Sequence, residues 1–342
     1  MKAAIYNPYL DSLGGGERYT LMFAKALADN GWKVDVEWKD LNIAKDLENR
    51  FGINLKNINF TEDIKRGDGY DLCFWVSDGS IPTLKARKNI IHFQVPFHDV
   101  NGRNLLNKMK LFRVNNIICN SNFTKEVIDK EYGVKSNVIY PPVSVDRIKP
   151  KRKENIILYV GRFSQLKQSK RQDILIEAFK KMTDDGLLNW KLILVGGTEV
   201  GASKYLQQLN DLLKGYPIEI IASPDFSVVK DLYGKAKIFW SASGFSENEE
   251  ENPEKVEHFG ITVVEAMAAG VVPVVYAAGG HKEIVQENIN GFFWTDVSEL
   301  ISKTRELVLN NKIMNKISKQ SKKDSLNFSN ERFEREVLSL IQ

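Results

Sequence analysis

Glu257-His258-Phe259-Gly260-Ile261-Thr262-Val263-Val264-Glu265, running on into Ala266-Met267-Ala268-Ala269-Gly270, is the most informative stretch of the chain. A glycine opens a short apolar run of small residues, with one carboxylate just before it and one inside it. A helix starting near Gly260 would turn its free backbone N–H groups toward whatever lies ahead. Those donors and the positive end of the helix dipole suit an anion such as a phosphate. Glu257 then falls in the preceding loop, and Glu265 about one and a half turns into the helix. Carboxylates are poor phosphate ligands but good acceptors for sugar hydroxyls. The plainer alternative is an amphipathic helix with two surface glutamates.

The chain has 342 residues, long for one core and suited to two domains. Its 43% hydrophobic and 27% charged content is that of an ordinary globular protein. The sequence has no run of about eighteen apolar residues, the length a membrane-spanning helix needs. The start, Met1 to Tyr6, leads into a strand and a glycine turn, too short for a secretory signal. Cys73 and Cys119 each sit in an apolar run, which predicts buried thiols in a reducing cytoplasm. Four scattered histidines give no zinc spacing, so no metal site is expected. The net charge of +4 lies entirely in residues 1–150. That is too little for a nucleic-acid binder. It fits modest attraction to an anionic membrane surface or a pyrophosphate-linked acceptor, and equally an ordinary solvated surface.

Short apolar runs at 3–6, 33–38, 71–76, 89–93 and 116–119 alternate with helix-length segments such as 16–30 and 122–132. This alternation predicts an α/β fold with parallel sheets covered by helices. Pro141-Pro142 interrupts it, and the charged segment Lys149-Pro150-Lys151-Arg152-Lys153 follows. Adjacent prolines cannot sit in a central strand or a helix interior, so a boundary is expected here. Strand-like runs resume at 155–160, 190–195, 238–241 and 271–275, with a helix over 170–182. Two doubly wound, Rossmann-like domains are expected, 1–148 and 149–327. The acidic loop 247–254 holds five carboxylates; such clusters can bind a hard cation, and more often are solvated.

Other segments carry chemistry of their own. Gly14-Gly15-Gly16 sits between the first strand and helix, where glycines let backbone approach a ligand. It is neither a dinucleotide fingerprint nor a Lys-bearing phosphate loop, so nicotinamide cofactors and ATP hydrolysis are disfavoured. Arg162 follows a strand end and offers a planar fork suited to phosphate oxygens. Lys167 and Lys170 are the cations that follow it. His92 closes a strand, where polar side chains of such folds point into the ligand crevice; a structural histidine is the alternative. His98 and Asp99 follow closely. Ser121 or Asn122 caps a helix.

The Glu257-x7-Glu265 pair resembles the donor-site signature of retaining glycosyltransferases of sequence family 4, in the group 1 glycosyltransferases. Further matches come in order: Gly14-Gly15-Gly16-Glu17-Arg18, Val160-Gly161-Arg162-Phe163-Ser164, Val195-Gly196-Gly197 and Gly279-Gly280-His281-Lys282-Glu283-Ile284-Val285. The resemblance implies the GT-B architecture, two Rossmann-like domains facing each other across a cleft. The acceptor would bind the N-terminal domain and the nucleotide sugar the C-terminal one, and the last helix, 328–342, would pack back onto the first domain. It implies a hexosyl transfer needing no cofactor and no catalytic metal. The donor would be a nucleoside-diphosphate sugar, GDP-mannose ahead of UDP-sugars, and the acceptor a glycan or lipid-linked hydroxyl. Nucleic acid is not an expected partner, and the location is cytoplasmic with room for association with the inner membrane face. By the same resemblance, His92 touches the transferred sugar, Glu257 accepts from a sugar hydroxyl and Glu265 from the ribose. Arg162, a lysine, and the backbone at Gly260, Ile261 and Thr262 hold the leaving diphosphate, and the loop with Gly15 and Gly16 closes over that diphosphate or lines the acceptor cleft. Counting back from the helix that begins near Asp173 favours Lys170 for that lysine, with Lys167 second. A nucleotide-sugar epimerase, a phosphorylase, or a non-catalytic sugar-nucleotide-binding subunit are the competing functions.

Overall fold

The computed structural model describes residues 1–12, 14–164, 168–199 and 201–342, so Lys167 lies outside the described residues. Two compact units are present. The first comprises Met1–Pro142 with Asn330–Gln342, and the second comprises Val143–Ser329. The division falls directly after the two prolines, six residues ahead of the boundary expected from sequence. Pro141-Pro142 breaks the backbone pattern there, whereas the charged segment beyond belongs to the second unit: Lys151 donates its amide to the Gly234 carbonyl and pairs with Asp231.

In the first unit the chain runs through β1 (Lys2–Tyr6), α1 (Gly15–Asp29), β2 (Lys33–Glu37), α2 (Ile43–Phe51) and β3 (Ile58–Thr61). It continues through β4 (Leu72–Val76), β5 (Lys88–Phe93), α3 (Leu105–Leu111), β6 (Asn116–Cys119), α4 (Asn122–Tyr132) and β7 (Asn137–Val138). The strands form one parallel sheet ordered β3-β2-β1-β4-β5-β6-β7. Residues Ala3 and Ile5 of β1 face one hydrophobic cluster and Ala4 faces the other, the two-residue alternation of a strand buried on both faces. Ser121 caps α4 by accepting from the Thr124 amide at 3.0 Å.

The second unit holds β8 (Ile156–Val160), α5 (Gln172–Asp184), β9 (Lys191–Gly196), α6 (Ser203–Leu212), β10 (Ile218–Ala222), α7 (Phe226–Lys235) and β11 (Ile238–Ser241). Then come α8 (Ile261–Ala268), β12 (Val272–Tyr276), α9 (His281–Ile284), β13 (Phe292–Trp294), α10 (Val297–Leu309) and α11 (Asn311–Asp324). Its parallel sheet is ordered β10-β9-β8-β11-β12-β13. The last helix, α12 (Asn330–Ile341), lies in the first unit, where Phe333 and Val337 are fully buried and Phe333 meets Tyr19 edge-on at 4.8 Å. Each sheet reverses its strand order once, between β1 and β4 and between β8 and β11. Crevices at the carboxyl ends of strands flanking such a reversal are where open α/β sheets bind ligands. Cys73 and Cys119 are buried free thiols.

Candidate functional site

α8 begins where the sequence places it. Gly260 is its N-cap at φ 114°, a conformation that a side chain would strain, and as a glycine it offers the first turn no side-chain cap. Ile261 and Thr262 are half-buried, so the first turn is not sealed inside the core. Neither glutamate is a free surface group. Glu265 is 6% exposed and accepts a hydrogen bond from the Tyr233 hydroxyl of α7 at 3.0 Å. Glu257, in the loop ahead of α8, accepts from Lys170 Nζ at 2.8 Å, both side chains being largely buried. Burial pushes the Glu257 carboxyl up, but the Lys170 charge, His281, the Lys170 hydrogen bond and His258 outweigh it and hold the group at about 2. It is a carboxylate at neutral pH, built to accept.

Lys170 also donates to Gln168 Oε1 at 2.8 Å, and Gln168 in turn donates to the Val256 carbonyl, which ties this segment to the Glu257 loop. Behind it Gln172, fully buried at the start of α5, fixes the strand end. Its Nε2 donates to the Arg162 carbonyl at 2.8 Å and its Oε1 accepts from the Tyr205 hydroxyl at 2.9 Å. The carboxyl ends of β8 and β9 close on each other here: a Cβ at Gly196 would stand 1.9 Å from the Gly161 carbonyl oxygen. The Arg162 side chain does not join the Lys170–Glu257 pair. It is more than half exposed and pairs with Glu199 at 2.5 Å.

The turn after β12 completes the wall. The Gly280 amide donates to the Glu257 carbonyl at 2.7 Å, and His281, fully buried, donates Nδ1–H to the Tyr276 carbonyl at 2.9 Å. Burial lowers the His281 pKa, and its buried Nε2 has no hydrogen-bond partner among the described residues. Glu283 sits in the short α9, in keeping with a structural role. The acidic loop braces this turn. Glu249 accepts from the Gly279 amide at 2.8 Å and from Lys282 at 2.5 Å, and Glu247 lies 3.7 Å from Lys255. Among the described residues no group of three or more His, Cys, Asp or Glu is arranged to hold a metal ion.

Two of the expected site segments lie in the first unit. His92 is the penultimate residue of β5 and is fully buried between Tyr19 (ring centroids 4.1 Å) and Phe74 (5.6 Å), its Nδ1–H donating to the Ile118 carbonyl. Burial lowers its pKa to about 3, so the ring is neutral. One pleat further on, the same face of the strand carries Gln94, which reaches the start of α1: a Cβ at Gly16 would stand 2.0 Å from Gln94 Oε1. Gln94, one residue past β5, is thus a second polar group at this strand end. The glycine loop is not an open anion cradle. Glu17, itself buried, turns back to accept from the Gly14 amide at 2.7 Å, which sets a carboxylate at the α1 N-terminus. Gly15 is exposed and Gly16 half-buried beside that carboxylate.

On the other face of this sheet, at its strand-order reversal, a pocket of about 420 Å³ has Tyr6 of β1, Trp75 of β4 and Lys110 of α3 among its lining residues. The two rings stack at 3.7 Å, and Glu37, Asp63 and Arg66 complete the wall. Neither this pocket nor Gln94, Tyr233 and Gln172 carried a local sequence signal.

Residues 144–324 match the family described as glycosyl transferases group 1. A GDP-Man:Man(3)GlcNAc(2)-PP-Dol alpha-1,2-mannosyltransferase of Dictyostelium discoideum is 28% identical over 234 residues, covering 65% of this chain and 45% of that protein. The human protein of the same name is 25% identical, over 60% of this chain and 44% of its own. The chain thus spans under half the length of these curated relatives. Among solved structures, a glycosyltransferase from Rickettsia africae superposes with a TM-score of 0.78 at 20% identity, covering 99% of this chain and 97% of that one. Anabaena HepE in complex with UDP superposes at 0.77 and 18% identity, with 99% of both chains covered. The two parallel sheets with their helices are the GT-B architecture. The family match covers more than half of the sequence, and the chain belongs to the group 1 glycosyl transferases.

Proposed function

We propose that the chain is a retaining hexosyltransferase that uses a nucleoside-diphosphate sugar and needs neither a cofactor nor a catalytic metal. The observation that carries this is the buried Lys170–Glu257 pair set against the uncapped start of α8, with Glu265 buried four residues further along the same helix. A cation, free backbone donors and two carboxylates in one place match the parts of a nucleotide sugar: a diphosphate between two hydroxyl-bearing rings. Glu265, oriented by Tyr233, accepts from the ribose hydroxyls. Glu257 accepts from a hydroxyl of the donor sugar, and Lys170 and the amides at Ile261 and Thr262 meet the diphosphate. Arg162 reaches the same phosphates once it leaves Glu199.

In the reaction the bond from the anomeric carbon to the β-phosphate oxygen breaks, and the acceptor hydroxyl oxygen bonds to that carbon from the same face. The hydroxyl proton passes to the departing phosphate oxygen. Charge grows on the diphosphate as it leaves, so the preorganised donors act most strongly in the transition state. The acceptor, a glycan or lipid-linked hydroxyl, belongs to the first unit, where Gln94 and the Tyr6–Trp75 pocket are available to it. The names of the relatives favour GDP-mannose.

A thermal-shift series with GDP, UDP and ADP, followed by release of the diphosphate from GDP-mannose and UDP-glucose in EDTA, tests the proposal. A ligand at one hundred times its dissociation constant adds about 2.7 kcal/mol. Stabilisation by none of the three removes the donor site. Turnover that disappears in EDTA and returns with magnesium or manganese removes metal independence. Diphosphate binding without any donor turnover would favour a non-catalytic sugar-nucleotide-binding subunit.

A further inference from the structure

Among the described residues, α3 is the α-helix with no buried side chain. Leu105, Leu106, Met109 and Phe112 are 74, 61, 61 and 90% exposed. At 3.6 residues per turn these four share one arc of roughly 120°, and Lys108 and Lys110 fall on its two edges. Leu111 points the other way and packs on the core of the first unit, so the helix is seated by a narrow seam with its apolar arc outward. Scattered exposed apolar residues are ordinary in any protein; four large ones on a single helical face are not.

The charge that the helix and its sequence flanks carry is of one sign, with Asp99 just ahead of the span, Glu131 accepting from the Gly102 amide, and Lys110 bordering the pocket that Glu37 and Asp63 also line. From Val100 to Lys125 there is no Asp or Glu, while Arg103, Lys108, Lys110, Arg113 and Lys125 all lie in that span. Arg103 and Arg113 donate to the Lys130 and Leu84 carbonyls, which fixes two of these charges near the helix ends. An apolar stripe with long cationic stems on both flanks suits the boundary between acyl chains and anionic headgroups, where the stems lie along apolar surface and the ammonium groups reach outward.

We propose that α3 docks the protein on a membrane surface that carries anionic lipid, with Leu105, Leu106, Met109 and Phe112 entering the headgroup boundary and Lys108 and Lys110 meeting the lipid charge. The inference rests on the proposed lipid-linked acceptor only for its purpose, since docking here would hold the first unit where such an acceptor resides. A rival surface exists on α11, where Lys312, Lys316, Lys319 and Lys323 form a stripe of like spacing, but the apolar residues Met314 and Ile317 of that helix are buried rather than exposed beside it. That stripe is the pattern of a solvated helix face.

Cosedimentation of the whole chain with phosphatidylcholine vesicles, with and without phosphatidylserine, tests the docking. Binding is expected only to the phosphatidylserine vesicles and should weaken as salt is raised. The exposed triple variant Leu105→Ser/Met109→Ser/Phe112→Ser should lose tenfold or more in partition, and Lys108→Gln about fivefold. Lys312→Gln/Lys316→Gln/Lys319→Gln/Lys323→Gln should bind within twofold of wild type. Thermal shift with GDP and UDP runs alongside and should not differ among the variants, so a missing nucleotide response condemns the transfer reaction and leaves the vesicle result to be judged by itself. The inference is overturned if wild type ignores phosphatidylserine vesicles, if the serine variant binds them equally well, if binding follows the α11 lysines, or if wild type is a dimer that the serine variant dissociates.

Discussion

Replacing Lys170 by methionine should destabilise the second unit through a partner left behind, not through lost packing. With its lysine in place the Glu257 carboxyl stands at about 2, against 4.5 for a free one, which corresponds to roughly 3 kcal/mol in favour of the ionised form. Removing one member of a buried pair leaves an uncompensated charge and costs about 3–5 kcal/mol. Lys170→Met should therefore lose about 3 kcal/mol at pH 7, and Lys170→Met/Glu257→Gln should recover at least half of it. The sign with pH follows from the depressed carboxyl. Its contribution is full above the unfolded value near 4.5 and is lost as pH falls from there toward 2, so a measurement at pH 7 captures all of it. Hydrogen exchange of the α8 amides along a urea series reports this unit without requiring the whole chain to unfold in one step. Should Lys170→Met lie within 1 kcal/mol of wild type, or should the single losses simply add in the double variant, the two groups do not form the coupled pair described above.

Three other outcomes follow from the same geometry. His92 is buried neutral with a pKa of about 3 against 6.5 when unfolded, so the unfolded chain binds more protons between those values and stability falls as pH drops through them; between pH 7 and 5 wild type should lose about 2 kcal/mol more than His92→Leu in urea titrations, and equal slopes would mean that the ring is not buried. Gly196→Ala drives a methyl into the rigid Gly161 carbonyl and should cost about 2–3 kcal/mol, whereas Gly16→Ala meets only the movable end of Gln94 and should stay within about 1 kcal/mol; urea midpoints in the reverse order would contradict both contacts. Glu265→Gln should weaken diphosphonucleotide affinity about tenfold while Glu257→Gln leaves it nearly intact and lowers turnover, and calorimetry showing equal losses would end that division of roles.

The central strands and α8 were legible in sequence because they are buried on both faces or opened by a glycine, features that leave apolar runs and sharp boundaries. β3, β7, β10 and β13 were not anticipated, and all four are sheet edges. An edge strand has fewer neighbours and a half-exposed pattern, as in Ile218–Ala222, so it leaves no continuous apolar run. The paired glutamates were visible for the same reason as α8, but their partners were not. Tyr233 lies 32 residues from Glu265, and only packing of α7 brings its hydroxyl there. His92 shows a finer limit: the strand was evident, yet nothing local told that its histidine would lie buried against Tyr19 of α1 while Gln94, two residues on, meets the first turn of the same helix. The exposed arc of α3 was invisible, since four apolar residues at helical spacing ordinarily announce a buried face.

The chain leaves the first unit at Pro142 and comes back to it at Asn330, which has a consequence for biosynthesis. The second unit is one unbroken segment and can complete its core as soon as Ser329 has cleared the ribosome. The first unit, although made earlier, cannot. Until α12 is synthesised, the slot for Phe333 and Val337 beside Tyr19 stays open to water, and Arg332 is not yet present to hold the Tyr140 and Pro141 carbonyls. The half made first is thus the half finished last, and throughout translation of the other half it carries an uncovered apolar seam. Chaperone engagement and misassembly on the nascent chain should concentrate there.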